Sequence, residues 1–293
     1  MAESQRDGDQ MCEVSIIIPN WNGGEDLSRC LDSILEHTHG VDFELILIDN
    51  GSSDESRSAV EAYTARDPRV TAIFNDENVF FAKACNQGYE RSRGRYLLVA
   101  NNDILLSDDA VSRLVRYADD HPEVGIVTPR FTGRDGIPQE FGRRLPNALH
   151  IIAHYHRLGR AVDRFILGRR LQNHYFYRDR DFDEVEEIEQ PGASFSLFRR
   201  DEIDRLDRFF DEAFPLLFND VDLCLRLKKK RVVSHVVPEI RVVHLAGISS
   251  EKLDPELYLD FLYGAIFDYF SRHHPLQAPL LWLAWPRRWI RHR

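Results

Sequence analysis

Carboxylate side chains follow three apolar stretches of the sequence, at the points where buried strands would end. Asp49 and Asp54 come after FELILI, and Asp103 comes after YLLVA and two asparagines. Asp220 and Asp222 follow the apolar stretch FPLLF. Ligands of α/β proteins bind at the carboxyl ends of parallel strands. Carboxylates gathered there indicate a divalent cation and a base for proton transfer.

Each acidic cluster also has a structural explanation. Asn and Asp favour turns, so the stretch ending at Asp103 would form a turn without any metal, and IDNGSSDES would cap a helix. The chain contains neither G-x-G-x-x-G nor G-x-x-x-x-G-K-[ST], which argues against dinucleotide-binding and P-loop phosphate sites. A glycosidase would need two acids flanking one bond, and Asp220 and Asp222 are too close in sequence to be an obvious pair.

The elements that must position these acids alternate between strands and helices up to about residue 130. Buried strands are predicted at 13–19, 43–49, 70–75, 96–101 and 123–129. Apolar residues at helical spacing, such as Leu27, Leu31 and Ile34, predict helices between the strands. This alternation is typical of βαβ units, so the predicted fold class is α/β with a mostly parallel central sheet flanked by helices.

Residues 131–190 have a different composition. They are rich in Arg, His and Tyr and weakly periodic, so we expect one or two helices and an acidic loop there. Strand patterns return in PGASFSLF and in RVVSHVVP. The predicted organisation is a disordered N-terminus of residues 1–12, one domain of residues 13–250, and a helical C-terminal appendage of residues 251–293.

The composition argues against several classes of protein. A net charge of −10 in 293 residues is unlike nucleic-acid binders, which usually carry a basic stripe. The cysteines at positions 12, 30, 85 and 224 form no C-x-x-C pair, so we expect free thiols in a reducing compartment. The N-terminus lacks an apolar signal core, and no apolar run reaches the ~20 residues of a membrane span, so a cytoplasmic protein is expected.

Six motifs follow one another along residues 13–250: VSIIIPNWNG, LILIDNGSSD, NVFFAKACNQG, LLVANNDILL, PGASFSLFRRD and NDVDLCLRL. In this order they resemble the motifs of inverting family 2 glycosyltransferases with the GT-A fold, and they look most similar to the bacterial rhamnosyltransferase-like branch. The resemblance implies that a sugar is transferred from a dTDP or UDP nucleotide sugar to a glycan or lipid-linked acceptor, as in the synthesis of surface polysaccharides.

The resemblance also implies roles for individual positions. Asp220 would be the catalytic base, and the apolar residues before it would bury it and raise its pKa. Asp103 would ligate Mn²⁺ or Mg²⁺ together with His244, although a lone histidine after a strand is often structural. The nucleotide sugar would be held by Pro19, Asn20, Asn22, Asp49, Asn50, Ser52, Asp54, Lys83, Asn86 and Asn102. Gly192, Ala193 and Asp222 would lie on the acceptor side, next to the segment 131–190.

The chain departs from the family pattern at three positions. Phe80 lies where glycine is typical, Asn219 replaces the acid before Asp220, and the D-x-D position keeps one carboxylate, Asp103. The missing acids leave open a non-catalytic nucleotide-binding scaffold of the same fold. A nucleotidyltransferase is a further alternative, although PNWNGGEDLS lacks the basic glycine-rich loop that would hold a triphosphate.

The segment 276–293 combines apolar and aromatic residues with a basic cluster. It contains three tryptophans and four arginines and no acid. Aromatic residues beside basic ones suit the interface of an anionic membrane, so peripheral contact with the inner face of the plasma membrane is expected. A C-terminal helix packed on the core, with its arginines in water, is the alternative.

Overall fold

The computed structural model describes residues 12–245 and 254–286. The strands are β1 (Val14–Asn20), β2 (Phe43–Asn50), β3 (Val70–Asn75), β4 (Tyr96–Ala100), β5 (Ile104–Leu105), β6 (Val124–Thr132), β7 (Gly142–Arg143), β8 (Glu186–Glu187), β9 (Gln190–Pro191), β10 (Phe195–Arg199) and β11 (Val233–His244). The helices are α1 (Gly24–His37), α2 (Ser56–Arg66), α3 (Phe80–Arg91), α4 (Ala110–Asp120), α5 (Ala148–Tyr155), α6 (Arg157–Phe165), α7 (Arg170–Tyr175), α8 (Arg200–Asp204), α9 (Asn219–Lys229), α10 (Pro255–His273) and α11 (Ala278–Ala284).

A nine-stranded sheet forms the centre of the fold. Its order is β3-β2-β1-β4-β10-β6-β11-β5, and β8 pairs with β11. The pairs β1–β2, β1–β4, β2–β3 and β6–β11 are parallel, whereas β10 is antiparallel to both β4 and β6. The prediction of an α/β fold with a mostly parallel sheet is confirmed, and β10 is the antiparallel strand that joins the two parallel groups.

The central strands are buried because helices cover both faces of the sheet. Every residue of β1 and of β2 is buried. Ile16 and Ile18 pack in the cluster that contains residues of α1 and α4, whereas Ile17 and Ile48 pack in the cluster of α3 and α9. Burying one such side chain contributes about 1.5–3 kcal/mol. This packing fixes the register that brings the carboxyl ends of β1, β2 and β4 together.

The strand β11 is longer than the sequence indicated. The stretches RVVSHVVP and IRVVH form one strand, whose register against β6 shifts between Val237 and Arg241. Pro238 lies inside this irregularity, where its missing N–H breaks no ladder hydrogen bond. The strand therefore continues to His244, which pairs with Ile104 of β5.

The segment 131–190 contains three helices where one or two were expected. His156 is extended, ends α5, and caps α6 by accepting a hydrogen bond from Gly159 N through Nδ1 at 3.4 Å. Gly168 and Arg169, with φ of 61° and 62°, turn the chain from α6 into α7. The strands β7 and β9 pair in a small separate sheet. Local capping and turn residues thus break a weakly periodic segment into short pieces.

The helices α10 and α11 pack on α5 and α9 in a third apolar cluster, which includes Ile151, Phe214, Ile266 and Phe270. In the part of the chain that the structure describes, no helix is both long and apolar enough to cross a membrane. The four cysteines are free and buried. Disorder was expected for residues 1–12, and all of these except Cys12 lie outside the described residues. The segment 287–293 also lies outside them.

Candidate functional site

A cleft of about 480 Å³ opens at the carboxyl ends of β1 and β4 and extends to the start of α9. Seven residues predicted to act at the site line it: Pro19, Asn102, Asp103, Gly192, Ala193, Asp220 and His244. The structure thus brings Asp103 and Asp220, from two of the three acidic clusters, into one cleft. More than 100 positions separate these two residues in the sequence.

Asp103 and His244 form the cation-binding candidate of the cleft. The pairing of β5 with β11 brings them together, with Asp103 Oδ1 3.4 Å from His244 Nε2. Asp103 is 4% exposed, and its Oδ1 has no hydrogen-bond partner among the described residues. A buried carboxylate oxygen without a partner is costly, and a bound cation would remove that cost. These two side chains therefore fit one face of a Mn²⁺ or Mg²⁺ site.

Within residues 12–245 and 254–286, no cluster of three His, Cys, Asp or Glu side chains could enclose a metal. A cation on Asp103 and His244 would therefore take its remaining ligands from amide or carbonyl oxygens, water or a substrate. Mg²⁺ in particular commonly keeps waters and binds through one or two protein ligands plus the phosphates of a substrate. The donor set suits a cation that arrives with a phosphate ligand.

Asp220 lies at the first turn of α9, after a backbone turn at Phe218, which has a φ of 66°. Its Oδ1 accepts a hydrogen bond from Val221 N at 2.8 Å, and its Oδ2 accepts one from Gln190 Nε2 at 2.9 Å. Burial raises the pKa of the Asp220 carboxyl, while Arg143 and the hydrogen bonds act in the opposite direction. A raised pKa brings a carboxylate base closer to neutral pH, where proton abstraction is more efficient.

Asn219, which replaces the expected acid, has a structural role that suits an amide. Its Nδ2 donates to the Leu216 carbonyl at 2.9 Å, and its Oδ1 accepts from Asp220 N at 2.7 Å. An ionised acid at position 219 could accept the second hydrogen bond but could not donate the first. Asn219 thereby holds the turn that aims Asp220 into the cleft.

The wall of the cleft opposite the sheet consists of Arg143, Tyr155, Tyr175 and Gln190, which we call the arginine wall. Arg143 and Gln190 are directly paired between β7 and β9, so their side chains share one face. The guanidinium of Arg143 lies 5.1 Å from the Phe176 ring centroid. Burial raises the pKa of Tyr155 and of Tyr175, so both remain neutral phenols. Gln190 Oε1 is buried without a hydrogen-bond partner among the described residues.

The sequence did not predict the arginine wall. Its members come from four separate short elements of a weakly periodic segment, and only the abundance of Arg and Tyr marked that segment. The nearby His150 is a structural residue, since its Nδ1 accepts from Asn147 N at 3.4 Å in the cap of α5. Burial lowers the pKa of His150 to about 4.

Beside the cleft, polar side chains at the ends of β1, β2 and β4 bond to one another. Asn102 Nδ2 donates to Asn20 Oδ1 at 2.6 Å, and Asn20 Nδ2 donates to Asp49 Oδ1 at 3.1 Å. Ser52 N donates to Asp49 Oδ2 at 3.2 Å, and Asn22 N donates to Ser52 Oγ at 2.9 Å. We call these five residues the Asn–Asp network. Asp49 is fully buried, so it acts by holding its neighbours.

Four other predicted nucleotide-sugar residues lie outside the lining of the cleft. Asn50 Oδ1 accepts from Asn75 Nδ2 at 2.9 Å, and Asp54 Oδ1 accepts from Ser56 N at 3.0 Å. Asn86 joins α3 to the loop at Phe210 by two hydrogen bonds of 3.0 Å. Its Nδ2 donates to the Phe210 carbonyl, and its Oδ1 accepts from Phe210 N. Lys83 is exposed on α3. The hydrogen bonds of Asn50, Asp54 and Asn86 lie within the fold, whereas Lys83 points to solvent.

Asp222, predicted on the acceptor side, is buried away from the cleft. Its carboxylate lies 2.6 Å from Arg226 Nε and 2.8 Å from His273 Nε2. The side chain is 2% exposed and ties α9 to α10. It supports the helix that carries Asp220 and lies outside the lining of the cleft.

Phe80, which lies where glycine is typical, adopts a φ of 63°. This left-handed conformation is one that glycine adopts without strain and that costs other residues about 1–2 kcal/mol. The ring of Phe80 packs edge-on against Phe261 of α10, with centroids 4.8 Å apart. The backbone thus keeps the shape expected for glycine, and the aromatic contact offsets the strain.

The chain resembles several characterised proteins. The family described as Glycosyl transferase family 2 matches residues 15–206. Glycosyltransferase GlyG of Streptococcus pneumoniae serotype 4 is 29% identical over 101 residues, which is 34% of this chain and 33% of GlyG. The putative teichuronic acid biosynthesis glycosyltransferase TuaG of Bacillus subtilis is 28% identical over 104 residues, 36% of this chain and 41% of TuaG. The matched region thus spans less than half the length of these curated relatives.

Two solved structures share the fold. The mannosyltransferase PcManGT from Pyrobaculum calidifontis, in complex with GDP-Man and Mn²⁺, has a TM-score of 0.58 at 17% identity and covers 94% of this chain and 69% of PcManGT. GalNAc-T7 with UDP, GalNAc and Mn²⁺ has a TM-score of 0.64 at 15% identity, over 95% of this chain and 55% of GalNAc-T7. The architecture is therefore the GT-A fold, and because the family match covers more than half of the sequence, the chain belongs to glycosyl transferase family 2.

Proposed function

We propose that the protein is a metal-dependent, inverting glycosyltransferase. It moves a hexosyl or deoxyhexosyl group from a dTDP or UDP sugar to a glycan or lipid-linked acceptor in surface polysaccharide synthesis. The observation that carries this proposal is that Asp103 with His244, and Asp220 with its raised pKa, line one cleft. Asp103 and His244 suit a cation bound to a diphosphate, and Asp220 suits a general base.

The donor would bind over the ends of β1 and β4. Asp103 and His244 would hold Mn²⁺ or Mg²⁺, and a divalent cation supplies charge neutralisation for the departing diphosphate. Pro19 and Asn102 line this part of the cleft, and the Asn–Asp network fixes Asn102 behind it. The predicted nucleoside contacts of Asn22, Ser52 and Asp54 would come from the neighbouring loops.

Asp220 would act as the general base. It takes the proton of the acceptor hydroxyl as that oxygen forms its bond to the anomeric carbon and the bond to the diphosphate oxygen breaks. Attack from the face opposite the diphosphate inverts the anomeric carbon in a single displacement. The free acceptor atom Gln190 Oε1 lies beside Asp220 and would position a hydroxyl donor of the acceptor.

The acceptor class rests on the relatives and on the surface of the C-terminal region. TuaG is named for teichuronic acid biosynthesis. A lipid-linked acceptor would require the protein at a membrane surface, and the expected contact through residues 276–293 is supported by Leu276 and Leu283, which are 95% and 79% exposed. Trp282 and Trp285 of the same segment pack on the third apolar cluster, so they would not enter a membrane.

The test separates binding from turnover. Thermal unfolding is measured with UDP, dTDP, GDP and ADP, each with and without Mn²⁺, and ligand at 100 Kd should stabilise the fold by ~2.7 kcal/mol. The same nucleotide is then used for sugar transfer, with the anomeric configuration of the product read by NMR. We expect Asp220→Asn to keep the nucleotide-dependent shift and to lose transfer by about 10²–10⁴-fold.

Asp220→Asn also has a predicted effect on stability. Because burial raises the pKa of Asp220, the ionised carboxylate lowers the free energy of unfolding once the pH exceeds the pKa in the unfolded chain. Removing the charge should therefore leave the Tm at pH 7 equal to or above that of the wild type. Full activity of Asp220→Asn would disprove the base assignment, nucleotide binding without turnover in the wild type would indicate a scaffold, and nucleotidyl transfer would indicate the other alternative.

A further inference from the structure

The helix α6 and the turn that follows it expose a ridge of apolar side chains. Leu158, Val162, Phe165 and Ile166 are spaced as neighbours on one side of the helix. Leu158, Phe165 and Ile166 are 66%, 77% and 75% exposed, and Leu167 of the turn is 37% exposed. Large apolar side chains grouped in this way on a surface mark an interaction site.

Arginines flank the ridge. The exposed guanidinium-bearing residues of this segment are Arg157, Arg160, Arg164, Arg169 and Arg170. In the part of the chain that the structure describes, none of these five arginines forms an ion pair within 4.0 Å. The ridge and its arginines together are called the α6 surface below. Its charge is opposite in sign to the −10 of the whole chain.

The acid within this segment does not neutralise the α6 surface. Asp163 is fully buried on the opposite side of α6, where its carboxylate accepts hydrogen bonds from Leu171 N at 2.9 Å and Gln172 N at 3.3 Å. A carboxylate at the start of α7 complements the helix dipole and the free N–H groups there. The exposed side of α6 therefore carries positive charge and apolar surface without an acid.

Three of these arginines surround a cavity. Arg160, Arg164 and Arg169 line a pocket of about 390 Å³ together with Ala161, Phe165 and Gln172. The pocket has no acidic lining residue. Planar guanidinium groups beside one cavity can bind two oxygens of a tetrahedral phosphate group by paired hydrogen bonds. The phosphate would lie next to Phe165, one of the most exposed apolar side chains of the ridge.

The structure assigns the α6 surface, in our inference, to an anionic phospholipid bilayer, with α6 lying in the plane of the interface. Phe165, Ile166 and Leu158 enter the acyl boundary, and the pocket of Arg160, Arg164 and Arg169 takes a lipid phosphate. An amphipathic helix with a basic border binds membranes in this orientation. This inference concerns how the protein is located at its substrates and does not depend on the proposed transfer reaction.

A second copy of the chain fits the α6 surface less well. A symmetric dimer brings the same patch of both protomers together, so the arginines of one copy would face the arginines of the other. An anionic lipid surface instead supplies the negative charge that the arginines lack.

The end of α11 lies next to the beginning of α6. The ring of Trp285 contacts His156, the cap of α6, with centroids 5.3 Å apart. Leu283, two positions before Trp285, is 79% exposed. The helix α11 thus ends beside the start of α6 with an exposed leucine near that end, and α7 connects the α6 surface to Tyr175 of the arginine wall.

The experiment measures flotation of the full chain with vesicles of phosphatidylcholine alone or mixed with an equal part of phosphatidylglycerol. Two matched pairs of variants are compared. Arg160→Gln with Arg164→Gln removes two charges from the α6 surface, and Arg91→Gln with Arg116→Gln removes two exposed charges from α3 and α4. Ile166→Ser is matched by Ile137→Ser, since these isoleucines are 75% and 62% exposed.

We expect the wild type to float with the anionic vesicles, with binding that falls as salt is added. Each charge removed from α6 should weaken binding about fivefold, so the double variant loses about twenty-fivefold. Ile166→Ser should lose about tenfold, since one buried isoleucine side chain is withdrawn from the interface. The variants of α3, α4 and Ile137 should bind like the wild type.

If an α6 variant and its matched control lost vesicle binding equally, the inference would be overturned. The effect would then be due to net charge or general surface hydrophobicity. Binding to neutral vesicles as strong as to anionic ones would overturn the role of the arginine pocket. A concentration-dependent dimer of the wild type that Ile166→Ser dissociates would assign the surface to a second copy instead. Nucleotide-dependent thermal shifts of all variants confirm that they are folded.

Discussion

The Asn–Asp network lies beside the cleft and the arginine wall lines it, and the two are built in different ways. The network consists of short side chains at the ends of β1, β2 and β4, and its hydrogen bonds lie between its own members. The arginine wall consists of long side chains from separate short elements, and Gln190 Oε1 has no partner within the described residues. One region is preformed and rigid, and the other leaves a buried polar atom for a ligand.

This difference matches the two proposed substrates. A nucleotide sugar and its cation are common to many enzymes of this fold, so a rigid scaffold at strand ends can be reused. The acceptor differs between enzymes, and recognition residues on loops and short helices can change without disturbing the sheet. The comparison predicts that changes in the network act on stability and nucleotide binding together, whereas changes in the wall act on turnover.

The largest effect on stability is expected from Asp222→Asn, where α9 is joined to α10. The carboxylate is buried between Arg226 and His273, and an amide would place an N–H donor against one of these donors. Removing one partner of a buried ion pair costs about 3–5 kcal/mol, so we expect the free energy of unfolding in urea to fall by about 3 kcal/mol.

The control is Asp268→Asn. This change removes the exposed ion pair between Asp268 and Arg272 of α10, whose charged atoms are 3.8 Å apart. That change should stay within about 0.5 kcal/mol of the wild type. If Asp222→Asn instead keeps full stability and raises only the KM for the acceptor, Asp222 contacts the acceptor as the resemblance implied.

A second change tests whether the Asn–Asp network is as rigid as its hydrogen bonds indicate. A Cβ on Gly23 would lie 2.3 Å from Asn20 Oδ1 and 2.6 Å from Asn102 Nδ2, the two atoms that share a hydrogen bond. Gly23→Ala should therefore break this bond and cost about 1–3 kcal/mol. We also expect it to abolish the Mn²⁺-dependent thermal shift with the nucleotide.

Gly136→Ala provides the comparison, because a Cβ at Gly136 meets nothing within 4 Å although its φ is 74°. It carries only the backbone strain of about 1–2 kcal/mol and should keep the nucleotide-dependent shift. A normal shift in Gly23→Ala would mean that the network adapts and that its rigidity is not needed for nucleotide binding.

The third change tests the arginine wall through the pH dependence of turnover. The charge of Arg143 lowers the pKa of Asp220 against the effect of burial. A general base must be deprotonated, so activity falls as the pH drops through this pKa. Arg143→Gln should therefore raise the pKa of Asp220 further and move the acidic limb of kcat/KM to higher pH.

Arg143→Lys keeps the charge and should keep the acidic limb in place. Arg180→Gln removes an exposed guanidinium that pairs with Glu186 and should leave the whole profile unchanged. If the acidic limb of kcat/KM did not move in Arg143→Gln, the charge of Arg143 would have no effect on the pKa of Asp220, or another group would be the base.

The difference between the strand ends and the arginine wall also explains which parts of the molecule can be predicted from the sequence. The strands β1 to β4 and β6 have continuous apolar runs and stop at turn residues, so periodicity and strand-end chemistry lead directly to Asp103. The apolar stretch before Asp220 marked that carboxylate as well, whereas its role as base and the position of His244 came from the family motifs. Arg143 was missed because the segment 133–191 takes its shape from single capping and turn residues, such as His156 and Gly168, and from tertiary pairing with β9.

Predicted positions also differ in what they do within the fold. The amides of Asn86 and Asn219 satisfy backbone groups of the loop before α9, which one-dimensional motifs cannot distinguish from ligand contacts. Asp222 matches a polar position in the motif but points to Arg226, one helical turn later. Side-chain direction on the first turn of α9 separates Asp220, the proposed base, from the buried Asp222, and that direction depends on the turn at Phe218.

The smallest effect, and the most specific in sign, is expected at Phe80, at the start of α3. Its φ of 63° favours glycine, and its ring contacts Phe261 of α10. Phe80→Ala loses the aromatic pair, worth about 0.5–1.5 kcal/mol beyond area burial, and keeps the backbone strain. Phe80→Gly loses the same ring but relieves the strain, so it should be more stable than Phe80→Ala by about 1 kcal/mol.

This order reverses the usual one, since glycine within a helix is less stable than alanine by about 1 kcal/mol. At the next position, Phe81, which does not have a positive φ, the usual order should hold, with Phe81→Ala more stable than Phe81→Gly. Urea unfolding of the four variants decides the matter. If Phe80→Gly is the less stable of its pair, Phe80 is not strained, and its contact with α10 has replaced the glycine of the family without any backbone cost.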